Sequence, residues 1–69
     1  MMTLAELVEV MPANQEIEVQ KNDTGEQLYK DLVAYLPAEF MERQVYSVWT
    51  TIFTDGTGHL TILVYDAEN

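Results

Sequence analysis

Cysteine is absent from this chain and basic residues are scarce: three Lys and Arg face twelve Asp and Glu in 69 residues. Without cysteine there is no disulfide and no thiolate metal site, so a core this small must hold itself together or lean on a partner. His59 is the only histidine. A multi-histidine metal site therefore cannot be assembled within one chain, and His59, beside a loop with no partner evident in the sequence, reads as an ordinary loop-end residue rather than a general base. No phosphate-binding glycine loop, nucleophile motif, His-Glu-x-x-His helix or calcium loop occurs. Asp23, Glu26 and Asp55 lie near turns, where acids usually cap backbone groups. The expectation is a protein with no catalytic residues, no metal ligands and no cofactor. No run of about 20 apolar residues is present, which excludes a membrane-spanning helix. The first residues also lack a basic stretch ahead of an apolar core, so the chain is expected to be cytoplasmic rather than secreted.

What is plentiful is apolar residues, at 48%, and negative charge, at a formal −9. The first argues against disorder and for a single domain over residues 1–69. The second argues against direct binding to nucleic acid or anionic lipid and favours a basic protein surface, including one built to hold nucleic acid.

Along the chain, Thr3-Leu4-Ala5-Glu6 reads as a capping box. Leu4, Leu7, Val8 and Met11 make one apolar stripe, and Pro12 ends that helix. Glu16–Gln20 alternates strictly, with Ile17 and Val19 on one side and Glu16, Glu18 and Gln20 on the other. Asn22-Asp23-Thr24-Gly25 is a turn. Residues 26–36 fit a strand or a helix equally well by periodicity. Leu36–Arg43 reads as about one helical turn, with Pro37 suited to its start. Gln44–Thr54 and His59–Tyr65 flank Asp55-Gly56-Thr57-Gly58 and form the clearest hairpin.

One hairpin face carries Val45, Ser47, Trp49, Thr51 and Phe53 with Leu60, Ile62 and Val64, and is the expected core side, with Trp49 buried. The other carries Tyr46, Val48, Thr50 and Ile52 with His59, Thr61, Leu63 and Tyr65. The expected fold class is α+β: an N-terminal helix packed on a four-stranded antiparallel sheet, in the order helix, strand, strand, short helical turn, strand, strand. Curling into a small barrel is one open variant. A helix at 26–36 beside a three-stranded sheet is the other.

Two candidate surfaces follow. Glu6, Glu9, Glu16 and Glu18 lie off the apolar stripes and would form an acidic binding face, either mimicking a phosphate array or simply keeping the protein solvated. Tyr46, Val48, Ile52, Leu63 and Tyr65 would form a hydrophobic interface for a partner or a homodimer, unless the fold covers them itself.

The order of these segments resembles a family. Thr3-Leu4-x-Glu6-Leu7, Glu16-Ile17-Glu18-Val19, Gly25-Glu26-x-Leu28-Tyr29, Leu36-Pro37-x-Glu39 and Arg43-x-Val45 together resemble small acidic uncharacterised proteins of Firmicutes genomes and their prophages or mobile elements. The resemblance implies a strand at 25–35 and supplies no catalytic residues. The expected function is a non-enzymatic, protein-binding accessory protein of a phage or mobile element. Its sharper form is an inhibitor of a host defence nuclease, such as an anti-CRISPR protein. The alternative is a housekeeping interaction module or homodimer with no inhibitory role.

Overall fold

The Thr3–Glu6 capping box forms. The Thr3 amide donates to Glu6 Oε1 at 3.0 Å and the Glu6 amide donates to Thr3 Oγ1 at 3.3 Å. It starts α1 (Leu4–Glu9), only six residues long. A helix this short is unstable alone and needs tertiary support. Leu4 and Val8 bury its apolar stripe. Two amides of its first turn, which lack partners within a helix, donate to another segment: Leu4 N to Arg43 O at 2.8 Å and Ala5 N to Met41 O at 2.9 Å. The structure, a computed structural model, describes residues 2–52 and 54–66.

Four strands follow: β1 (Glu16–Lys21), β2 (Gln27–Leu32), β3 (Val45–Ile52) and β4 (Gly58–Val64). The ambiguous segment is a strand over Gln27–Leu32, then a 3₁₀ turn at Val33–Tyr35. The turn at Gly25, whose φ of 75° suits glycine, brings this segment back to pair with β1 as a strand. A second 3₁₀ turn spans Ala38–Phe40, within the segment expected to be helical.

The element order is as expected, but the sheet is not all antiparallel. Its strand order is β2-β1-β4-β3, and β1 and β4 run parallel. The reason lies in the connection over residues 33–44. It leaves β2 at the end where Val33 N donates to Gln15 O and Ala34 N to Ala13 O. It arrives at the opposite end, where Tyr65 N donates to Gln44 O and Val45 N to Met2 O. A short connection would have reversed the second hairpin; a crossing one aligns β4 with β1. Leu36, buried midway, pins this crossing onto the core. The sheet remains open, with β2 and β3 as its edges, so it does not close into a barrel.

Leu4, Val8, Ile17, Val19, Leu36, Ile62 and Val64 form the core. α1 and the crossing segment cover the sheet face bearing Ile17, Val19, Ile62 and Val64. No helix or 3₁₀ turn covers the opposite face among the described residues, although His59 and Thr61 on it are buried.

The facial assignment of β3 is a correction. Val45 pairs with Val64, but the next pair is Ser47 with Leu63, so the register shifts at Tyr46. This bulge inserts one residue and reverses the alternation beyond it. Val48, Thr50 and Ile52 therefore share the side of Ile62 and Leu60, while Ser47, Trp49 and Thr51 join Leu63, Thr61 and His59. Trp49 sits on the uncovered face and is 45% exposed, not buried. Phe53, expected on the core side, lies outside the described residues.

Candidate functional site

The four acids expected to form one face do not come together. Glu6 and Glu9 are exposed on α1, in the cover layer. Glu16 and Glu18 alternate with the buried Ile17 and Val19, so they belong to the opposite side of the sheet. A strand and a helix can both be amphipathic toward the same core and still aim their polar sides in opposite directions. Two other acids share the cover layer instead: Glu39 and Glu42, exposed on the crossing segment whose Met41 and Arg43 carbonyls receive the α1 amides. Sequence reasoning left these two out because nothing in the pattern placed residues 39–42 beside α1.

Glu18 is an internal partner more than a surface charge. Its Oε1 lies 3.1 Å from His59 Nε2, and its Oε2 accepts from Gln20 Nε2 at 2.7 Å. The side chains of His59 and Glu18 are only 7% and 15% exposed. The parallel pairing of β1 with β4 creates this contact, which links residues 41 positions apart and left no trace in the local sequence. Beside it, Thr51 and Thr61 hydroxyls lie 3.5 Å apart, and Thr61 is 3% exposed. The buried imidazole thus meets a carboxylate across the parallel β1–β4 pair. Its evident role is to satisfy polar atoms in the middle of the sheet.

The basic residues are largely spent inside the fold. Lys21 Nζ lies 3.0 Å from Asp66 Oδ1, and Arg43 Nη1 lies 4.0 Å from the same oxygen. Arg43 Nη1 also donates to the Tyr65 carbonyl at 3.4 Å, with its guanidinium 5.7 Å from the Phe40 ring centre. The hydrogen bond to Asp66 and that group's charge raise the Lys21 pKa above the ordinary lysine value. Lys30 is the one exposed basic side chain among the described residues. Against it stand nine exposed carboxylates besides the paired Asp66: Glu6, Glu9, Glu16, Asp23, Glu26, Asp31, Glu39, Glu42 and Asp55.

Hydrogen bonds tune two of these acids. The Thr3 amide, then its hydroxyl, hold the Glu6 carboxyl below the ordinary glutamate value. The Thr57 hydroxyl and amide do the same for Asp55, at 2.7 Å and 2.9 Å. Both acids are therefore firmly anionic near neutrality. Burial pushes the Tyr29 phenol up, with Asp31 adding to the shift; its hydroxyl donates to Leu32 O at 2.6 Å.

The expected hydrophobic interface also divides. Tyr46 and Tyr65 meet edge to face with ring centres 5.4 Å apart. Leu63 lies on the uncovered face, whereas Val48 and Ile52 lie on the other. What Tyr46, Val48 and Ile52 still share is β3, an edge strand, where they are 56%, 38% and 77% exposed. Among the described residues no group of acids and histidine is arranged to hold a metal, and no helix is long and apolar enough to cross a membrane. No family model, curated protein or solved structure matches the chain.

Proposed function

We propose that this chain is a non-enzymatic protein-binding protein that docks its acidic exterior on a basic protein surface. The observation that carries the reading is the imbalance of exposed charge: nine carboxylates against Lys30 alone among the described residues. Self-repulsion on this scale opposes folding of a small domain and exceeds what solubility requires. The cover layer, with Glu6, Glu9, Glu39 and Glu42, is the favoured docking side, since Glu18 is occupied by His59 and Gln20. Together with the sequence resemblance, this extends to an accessory protein of a phage or mobile element. There it would inhibit a host defence nuclease, as anti-CRISPR proteins do, by steric or nucleic-acid-mimicking occlusion of a nucleic-acid channel.

The test is capture of a basic protein from a bacterial lysate on the immobilised chain, followed by affinity measurements on the purified pair. Affinity should fall steeply as salt rises, because exposed charges more than a Debye length apart are screened, about 8 Å at physiological ionic strength. Glu39→Lys with Glu42→Lys should weaken it further than Glu16→Lys with Asp23→Lys, an equal reversal at exposed acids outside the cover layer. Binding indifferent to salt and to both reversals would sink the proposal. A housekeeping homodimer is the second reading, favoured by the uncharged β3 edge.

A further inference from the structure

The two edges of the sheet are guarded very differently. β2 carries Lys30 and Asp31 and spans six residues. Charged side chains of this kind are how proteins discourage edge pairing. β3 spans eight residues, Val-Tyr-Ser-Val-Trp-Thr-Thr-Ile, with no charged side chain and no proline. Its bulge lies at the Tyr46 end and leaves the stretch from Ser47 to Ile52 in regular pairing with β4. On its outer side this stretch presents backbone amides and carbonyls that β4 does not use. Four large apolar side chains stand around it, Tyr46, Val48, Trp49 and Ile52, all more than a third exposed.

We propose that β3 pairs antiparallel with β3 of a second copy of this chain, joining two four-stranded sheets into one. The chemistry of the edge selects that occupant. β3 carries no charge to pair with the basic surface expected for the acidic exterior. A neutral strand matches it, and β3 is complementary to itself. With the twofold axis at Trp49, the two indoles meet across the axis, Val48 faces Thr50, Ser47 faces Thr51, and Ile52 reaches Tyr46. Residues on each face then meet residues of the same face, as the pleat requires. A closed twofold pairing of this kind is isologous and stops at two copies, because β2 is charged. A strand of eight residues is about 27 Å long. The strip it covers, on the order of 500 Å² per copy, is less than the roughly 800 Å² of a standard interface. An interface below that size belongs with weak, transient contacts, so pairing sets in well above low micromolar concentration.

Charge sets the conditions. Each copy carries −9, so the copies repel and salt, by screening, strengthens the pairing. This is opposite in sign to binding of a basic surface, and the two proposals fail independently.

The test is sedimentation equilibrium from low micromolar to about millimolar concentration, at low and high salt, with Trp49 emission followed in parallel. The average mass should climb from 7.9 kDa toward twice that value, sooner at high salt, and Trp49 emission should shift to the blue as the mass rises. Ile52→Lys and Thr50→Lys, both at exposed positions, should keep the chain monomeric with an unchanged far-UV spectrum. Val10→Lys changes charge equally at an 82% exposed residue away from the edge, and should dimerise at least as well as the parent. A monomer throughout the series overturns the proposal and leaves the edge to a strand of another protein. So does a dimer that survives both β3 lysines.

Discussion

Ile62→Ala and Trp49→Ala should have effects opposite in rank to their sizes. Ile62 lies on β4, one of the two inner strands, and is fully buried in the core. Truncation removes three carbons, worth about 2.4 kcal/mol at roughly 0.8 kcal/mol each. A cavity that the sheet and cover layer cannot close adds on the order of 1–2 kcal/mol. The total is about 4 kcal/mol. A domain of 69 residues holds only about 3–10 kcal/mol at the usual stability per residue. Trp49 is the larger side chain, but it is 45% exposed on the uncovered face of an edge strand. Its loss leaves no enclosed cavity and forfeits packing on one side, about 1–2 kcal/mol. Urea unfolding followed by far-UV circular dichroism measures both, since removal of the only tryptophan also removes the fluorescence probe. Low micromolar protein keeps self-association out of the comparison. If Trp49→Ala costs as much as Ile62→Ala or more, the bulge at Tyr46 does not reverse the faces of β3, and the description of the uncovered face is wrong.

Two further outcomes follow from the same structure. Gly58→Ala should destabilise by about 1–3 kcal/mol, because its Cβ would overlap the Thr51 carbonyl oxygen and press on Ile52 Cα, both backbone atoms with little freedom to yield; an unchanged urea midpoint would contradict the close β3–β4 approach. The pH dependence should have two limbs. Glu6 and Asp55 are held below their ordinary values, so what they contribute is complete above the ordinary carboxyl range and is lost as pH falls through their folded values; Lys21 is raised, so its contribution is complete below the ordinary lysine value and is lost as pH rises through its folded value. Urea midpoints measured across pH should show Asp55→Asn blunting the acid limb and Lys21→Met blunting the alkaline one, and limbs unaffected by either variant would refute the assignment.

Local chemistry accounts for what was legible in the sequence. The Thr3–Glu6 capping box, Pro12, the Ile17/Val19 alternation and the two glycine turns act within a few residues. Each therefore specified its element directly, down to α1, β1 and the β3–β4 hairpin. Residues 26–36 were undecided because Leu28, Tyr29, Leu32 and Val33 suit either period. Pairing with β1 made the choice.

Composition also determined the charge of −9 and the absence of cysteine, which no fold can alter. Tertiary structure decided three things that local pattern could not contain. The crossing of residues 33–44 made β1 and β4 parallel and brought Glu18 to His59. The same crossing set the segment that carries Glu39 and Glu42, rather than the strand that carries Glu16 and Glu18, against the start of α1. The single extra residue at Tyr46 moved Trp49 from the core side to the open face. In a strand the side-chain period is two, so one inserted residue reverses every assignment beyond it. Only the partner strand fixes where that residue is taken up.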